Sequence, residues 1–408
     1  MSADQAGSAR RVFSASQLRV IGGCALAFTM AYLNRLNLSA ALRGMMEALG
    51  LSAASAGMLQ TCFAIAYAAG QLINGMLSDR SRPSRMILLG LTGTALCNIA
   101  LGLSRAYPLL LGLCLLNGVF QSMLWTPIVR LVALSCQEEQ PRKRANLLLS
   151  VTLVLGHFAA WAVSGALTLR GGWWLSFLVP GLATLPMILV VFRLLRRFQG
   201  EAGLASPERA ARDPLRRSLS VLAGTGFFLM LVGCVFYGFT RDSMITWAPD
   251  LLNSLNGGGL SSYLFSLVIP LVNLTGILFG FYVRYHGGKD SRGTLIRLLP
   301  LVACFCALLL ITKSLPLTAL WLGLSCAVLY GLTPILTTLI PMEYNRYHCV
   351  GLAAGLVDSS IYVGSALSGV AGGFLYGQFG AQALYGALIA ATLCAVAMFG
   401  RSLSNADA

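Results

Sequence analysis

Residues 86–104 read MILLGLTGTALCNIALGLS, a run without a charge that begins after Arg85 and ends before Arg105. As a helix it would rise about 29 Å, close to the ~30 Å hydrocarbon core of a bilayer. A helix is the reading that fits, because it satisfies its own backbone polar groups where no water can. Outward from this run, similar ones recur at 18–42, 55–77, 107–135, 145–169 and 172–194. After a polar segment they resume at 218–249, 260–285, 293–312, 315–342, 350–376 and 380–400. A membrane β-barrel would show short alternating strands instead of continuous apolar runs. The expectation is an all-α membrane protein of twelve transmembrane helices in two pseudo-symmetric six-helix bundles. The first stretch, to about residue 17, is polar, and the run after it is too long for a signal-peptide core, so no cleavable signal is expected.

The composition agrees, with 57% hydrophobic and 11% charged residues. The net charge of +15 raises the question of nucleic acid, and the placement of the charges answers it. Arg10, Arg11 and Arg19 precede or open the first run. Arg80, Arg82 and Arg85 follow the second, and Arg142, Lys143 and Arg144 follow the fourth. Arg193, Arg196, Arg197, Arg209, Arg212, Arg216 and Arg217 make the central segment basic. Arg284, Lys289, Arg292 and Arg346 continue the pattern, while the opposite loops hold only Arg43, Arg105, Arg170 and Lys313. This is the positive-inside bias, with both termini cytoplasmic. It reads as topology and not as nucleic-acid binding. The eleven cysteines have no metal spacing and mostly fall inside the runs, as small apolar residues. No metal or cofactor is expected. No nucleophile triad, metal set or nucleotide loop points to an enzyme.

Landmarks repeat at an offset of about 205 positions: Arg35 with Arg241, Gly75 with Gly280, Ser164-Gly165 with Ser368-Gly369, and Pro127 with Pro334. The spacing predicts two parallel halves, 1–194 and 218–408, joined by a cytoplasmic linker over 195–217. Such halves resemble the major facilitator plan, whose substrate site lies near the midplane between them. The loop Gly75-Met76-Leu77-Ser78-Asp79-Arg80 resembles that superfamily's G-x-x-x-D-R motif, with Gly75, Asp79 and Arg80 in the gating and structural positions. Its second-half counterpart, at Val283-Arg284, is degenerate.

Polar residues inside the apolar runs are the functional candidates. An arginine near a helix centre costs at least ~2.5–3.5 kcal/mol on insertion scales. Arg35 and Arg241 both lie deep in their runs. They are either structural, paired with buried acids or carbonyls, or a pair of anion-binding guanidinia facing one cavity. Tyr32 and Tyr237 share a helix face with them. Asp242 adjoins Arg241 but projects about 100° away, which makes it a poor partner on a helical wheel. Tyr67, Gln71 and Asn74 form one polar stripe, and Asn117, Gln121 and Trp125 another. Each stripe fits either a cavity wall or helix–helix glue. His157 is either a packed, hydrogen-bonded histidine or a substrate or proton group. Asp358, on the face of Tyr362, would neutralise an arginine in the empty carrier, carry a proton, or contact a substrate amine. Arg130 is explained by snorkelling.

These segments resemble one branch of the superfamily, the organophosphate:phosphate antiporters. The resemblance rests on Tyr32-Leu33-Asn34-Arg35-Leu36-Asn37, on Ala66-Tyr67 and Ser78-Asp79-Arg80-Ser81, and on Gly118-Val119-Phe120-Gln121 with Trp125, Pro127 and Arg130. It continues in Arg241 with Trp247-Ala248-Pro249, and in Gly351-Leu352-Ala353-Ala354-Gly355 with Tyr362-Val363-Gly364. It implies a monomeric carrier of the bacterial inner membrane in which Arg35 and Arg241 clamp a phosphate moiety, supported by Tyr32, Tyr67 and Tyr362. Three departures stand out. Gln71 occupies the place of a lysine in the family's glycerol-3-phosphate carriers. Their fifth-helix histidine aligns with Gly156, one residue from His157. Asp358 replaces a small residue. The site thus loses a cation and gains an acid, which makes a monoanion, zwitterion or carboxylate more plausible. The expected function is alternating-access transport of a small organic anion in exchange for inorganic phosphate. The competing readings are a proton-coupled organic-acid symporter, with Asp358 or His157 as the proton site, and a transporter-like sugar-phosphate receptor.

Overall fold

The structure is a computed structural model that describes residues 13–136, 138–196, 226–257, 259–286, 291–344 and 350–407. The expected linker at 195–217 falls almost wholly outside them. The described residues form fourteen α-helices and one π-helical turn.

The first group runs α1 (Ala15–Leu33), α2 (Asn37–Leu49), α3 (Ala53–Arg80), α4 (Pro83–Leu103), α5 (Tyr107–Ser122), α6 (Trp125–Ser135), α7 (Glu139–Gly171) and α8 (Leu175–Leu195). The second runs α9 (Phe227–Asn256), α10 (Leu260–His286), α11 (Ser291–Ile311), α12 (Leu315–Pro334), the π-helical turn Ile335–Leu339, α13 (Ile340–Glu343) and α14 (Val350–Asp407). Ser14 opens α1 with a reciprocal capping box to Gln17, and Ser52 caps α3. Gly50 closes α2 at φ 64° and Gly380 divides α14 at φ 78°, backbone settings that glycine reaches without a Cβ clash.

Ten helical segments among the described residues are long and apolar enough to cross a membrane. One of them, Leu352–Ser402, contains the break at Gly380. Leu384 returns to meet Gly372 across it, so this one segment supplies the expected eleventh and twelfth runs. The expected first run is not continuous. It stops at Leu33 and restarts at Asn37. The fourth is interrupted at Met123-Leu124, and the tenth passes through the π-turn after Pro334. Leucines spaced by seven along α4, at 89, 96 and 103, stay exposed. Such a stripe would be a liability in water and is the expected lipid-facing surface in a bilayer.

Within the first group α1 packs on α7 and α8, and α4 on α5 and α8. Within the second, α9 packs on α14, and α10 and α11 on α12. The main pairings between the groups are α3 with α14, α7 with α10, and α2 with α9. Gly233, near the start of α9, meets Phe399, near the end of α14, while Arg43 and Asp250 bring the far ends of α2 and α9 together, so the start of α1 and the end of α14 belong to the same, terminal end of the bundle. At the opposite, distal end Arg43 reaches Asp250 at 3.5 Å, and the Tyr263 hydroxyl donates to the Ala162 carbonyl at 2.7 Å.

Candidate anion site

The site begins at the break in the first run. Between Leu33 and Asn37 the helix loses its regular ladder and leaves the Asn34 carbonyl without a helical partner. Three side-chain amides from other helices take its place. Asn98 donates at 3.0 Å, and Asn117 and Gln121 each at 3.3 Å. The Asn34 side chain in turn donates to the Met30 carbonyl and to Thr184. A buried carbonyl left bare would be costly, so this cluster stabilises the break and with it the position of the next residue, Arg35.

Arg35 projects between the two groups of helices. Its Nη2 donates to the Tyr362 hydroxyl of α14 at 2.8 Å. Its Cζ lies 4.9 Å from the ring centre of Tyr67, 5.0 Å from Tyr362, 5.1 Å from Phe63 and 5.8 Å from Tyr32. This is an aromatic box around a guanidinium, a setting in which ring quadrupoles offset part of the lost hydration. Among the described residues no carboxylate pairs with Arg35.

Arg241 has a different environment. It sits in the middle of the unbroken helix α9, almost fully buried. Its Nε donates to Asp242 Oδ1 at 2.8 Å and its Nη2 to Oδ2 at 3.1 Å. The helical wheel argued against this partner, and the structure corrects that expectation. The wheel gives the direction of Cβ, but the long arginine stem can turn sideways and lay its fork on the neighbouring carboxylate. Tyr362 stands between the two arginines, with its ring centre 5.9 Å from the Arg241 Cζ.

Both arginines border one cavity of about 200 Å³ at the junction of the two groups. Tyr32, Trp125 and Tyr362 from the sequence-derived candidates also line it. Trp125 is held by stacking on Phe28 at 4.9 Å. The other candidates lie off the wall. Tyr67 forms part of the box around Arg35, and Gln71 donates to its hydroxyl at 2.7 Å while accepting from Thr126. Gln121 is committed to the carbonyls of Ala31 and Asn34. Tyr237 is buried, donating to the Leu329 carbonyl and sharing a hydrogen bond with Thr333 at 2.8 Å. His157 is buried behind Tyr330, with Nδ1 3.3 Å from its hydroxyl and its ring edge-on to Trp161. Asp358 is part-buried one turn before Tyr362 and within electrostatic range of both Arg241 and Arg35. It makes no ion pair among the described residues. Both polar stripes therefore act mainly as glue: Asn74 bonds Ser122, and Asn117 and Gln121 bond the break. The side chains of Gly75, Asp79 and Arg80 lie outside the described residues.

Sequence reasoning missed several lining residues, notably Gln60, Tyr330, Thr333 and Thr337. The last three fall on one helix face of the tenth run, which was a usable signal. The π-turn after Pro334 brings Thr337 to the wall, a common use of such turns. A larger cavity, of about 780 Å³, opens at the distal end between α2, α7, α9 and α10. Among the described residues its one cation, Arg43, is already engaged by Glu47 and Asp250, so it offers little to an anion.

A family model for the Major Facilitator Superfamily matches residues 24–348. The chain belongs to this superfamily. It is 22% identical over 412 residues to a probable hexose phosphate transport protein of Chlamydia pneumoniae, covering 94% of this chain and 90% of that one. It is 26% identical over 249 residues to the 3-(3-hydroxy-phenyl)propionate transporter of Escherichia coli K12, with 59% of each chain covered. Among solved structures, a bacterial homolog of the human lysosomal transporter Spinster, in an inward-facing and occupied conformation, superposes with a TM-score of 0.71. That likeness covers 95% of this chain and 96% of that one at 17% identity, and it speaks to the fold. Membership agrees with the twelve-run reading and with a transporter, not an enzyme. The relatives agree with the resemblance to the organophosphate carriers.

Proposed function

We propose that this superfamily member carries a small organic anion across the membrane by alternating access, with the anion bound in the cavity between Arg35 and Arg241. One observation carries the reading: two guanidinia from opposite groups of helices border a single cavity at the junction where those groups would rock. Guanidinium stays charged and grips oxyanions through parallel N–H donors. The coupling proposed first is exchange for inorganic phosphate. An empty cavity keeps Arg35 without a counter-charge, which opposes the closed intermediate, whereas an anion removes that obstacle in either direction. The name of the Chlamydia relative supports a phosphorylated substrate, and that of the Escherichia coli relative supports a carboxylate.

The halves would be 1–194 and 218–408, and the basic loops support a cytoplasmic location for the termini in a bacterial inner membrane. Labelling of a cysteine at Ser254 from the cytoplasmic side only would overturn that orientation. Counterflow in proteoliposomes tests the function, with phosphate loaded inside and labelled organic anions outside. Uptake that requires internal phosphate supports exchange. A second reading, proton-coupled uptake, is favoured by Asp358, an acid one turn before Tyr362 with no ion pair among the described residues. Uptake driven by a pH gradient without internal phosphate, and lost in Asp358→Asn, would replace the first coupling by the second.

A further inference from the structure

The two arginines are not equivalent, and the difference bears on what the cavity can hold. Arg241 is engaged through Nε and Nη2 by both oxygens of Asp242, at 2.8 and 3.1 Å. That pair is neutral as a unit. Nη1 of Arg241 is not engaged by Asp242, but the charge of the side chain is already met. Arg35 has no carboxylate among the described residues, only the Tyr362 hydroxyl and four ring faces. Among the described residues the charged ones on the cavity wall are Arg35, Arg241 and Asp242, which together carry one net positive charge. Asp358, one turn before Tyr362 on α14, is not part of that wall.

A doubly charged ligand closed into this space would leave an excess negative charge facing Asp242. A singly charged ligand would leave the wall and its occupant balanced. The rest of the wall favours an apolar body. Trp125, Val129, Leu149, Leu153, Ile245 and Ile277 all line it, together with the hydroxyl-bearing Thr333 and Thr337.

Resting on the organic-anion reading above, we infer that the substrate is a small monocarboxylate with an apolar or aromatic body. Arg35 takes its single charge, and Asp242 sets the preference by holding Arg241 as a neutral pair. Dianionic phosphate esters are disfavoured, and phosphate, if exchanged, is taken as its singly charged form. Asp242 is thus a specificity residue that acts through Arg241 and makes no contact with the ligand's charged group.

The test is equilibrium binding to the purified full chain at pH 7.5, using 3-phenylpropionate and phenyl phosphate as probes with similar rings and different charge. The wild type should bind 3-phenylpropionate at least tenfold more tightly. Asp242→Asn keeps the side-chain shape and frees the Arg241 charge, so it should move the ratio toward phenyl phosphate by tenfold or more. Equal or tighter binding of phenyl phosphate by the wild type overturns the inference, even if Asp242→Asn does not fold. An unchanged ratio in a folded Asp242→Asn overturns the role of Asp242. If neither probe binds, and no organic anion gives counterflow, the anion-carrier reading falls with it. Tight binding of phenyl phosphate together with counterflow would sink only the choice of charge.

Discussion

Gly57 of α3 and Gly369 of α14 pack backbone to backbone, so that a Cβ on either one would run into the carbonyl oxygen of the other. This contact joins the two groups of helices on one side of the cavity. The repeat relates it to the contact of Gly165 with Tyr263, where α7 meets α10 on the other side. There a tyrosine ring stands in place of the second glycine, and the 780 Å³ distal cavity lies alongside. The two sides of the junction are therefore built alike but packed unequally. Small residues let helices approach closely in a bilayer, where apolar burial alone drives little association.

Gly57→Ala should push α3 away from α14 and disturb the junction, at a cost of about 1–3 kcal/mol typical of overpacking. Gly112→Ala is the control, because nothing lies within 4 Å of a Cβ built there and alanine favours the helix. Thermal denaturation in detergent, paired with uptake assays, should show Gly57→Ala less stable and poorly active and Gly112→Ala unimpaired. Equal behaviour of the two would mean the glycine contact is not under steric constraint.

Arg43 and Asp250 link the two groups at the distal end, 3.5 Å apart, with Arg43 also held by Glu47 at 2.5 Å. The Arg43 side chain is 46% exposed, so solvent screens the pair and its contribution to distal closure is roughly 1 kcal/mol or less. Asp250→Asn should then shift the closed–open balance by about fivefold at most. A cysteine at Gln60, in a background without native cysteines, should react faster from the distal side in that variant. Slower or unchanged labelling would argue that the pair is not a latch.

Asn98 reaches the Asn34 carbonyl, the Thr94 carbonyl and the Asn37 side chain, and it is fully buried. Asn98→Ala removes one of three donors at the helix break behind Arg35. A loss of about 1–3 kcal/mol is expected for a disturbed buried network. Because Asn98 positions Arg35 without touching the cavity, anion binding should weaken as well. Calorimetric melting and binding titrations check both effects. Lowered stability with intact affinity would make the cluster structural only.

The spans were legible in the sequence because a bilayer demands twenty-residue apolar runs and little else imitates them. Arg35 and Arg241 were legible for the opposite reason: a permanent charge in such a run needs a special environment. The break at residues 34–36 was not, since it contains neither proline nor glycine. It depends on amides from Asn98, Asn117 and Gln121, which are brought in by packing. The same amides read as ambiguous stripes until their acceptor was known. Asp242 was missed because a helical wheel ignores the reach of an arginine stem. Thr333 and Thr337 were missed because lone hydroxyls in apolar helices usually bond their own backbone, as Thr337 does to the Thr333 carbonyl.

Arg35→Lys is the sharpest test of how the cavity holds charge. Lysine keeps the positive charge but replaces a flat, weakly hydrated fork by a compact, strongly hydrated ammonium. The box around Arg35 offers one hydroxyl acceptor and four ring faces, at 4.9–5.8 Å from Cζ. That environment suits a guanidinium lying along aromatic surfaces and leaves an ammonium short of acceptors. A second N–H toward the bound anion would also be lost. Uptake and affinity should fall at least tenfold, which corresponds to about 1.4 kcal/mol, while size-exclusion and circular dichroism profiles stay those of the folded protein. Tyr362→Phe provides the comparison. It keeps the ring beside both arginines and removes only the acceptor for Arg35 Nη2, so a milder effect of about 0.5–1.5 kcal/mol is expected. The order of severity is the prediction: Arg35→Lys worse than Tyr362→Phe in binding titrations run on both. Near-normal affinity in Arg35→Lys would mean that a point charge suffices there. A reversed order would mean that the Tyr362 hydroxyl, and not the fork of Arg35, organises the site.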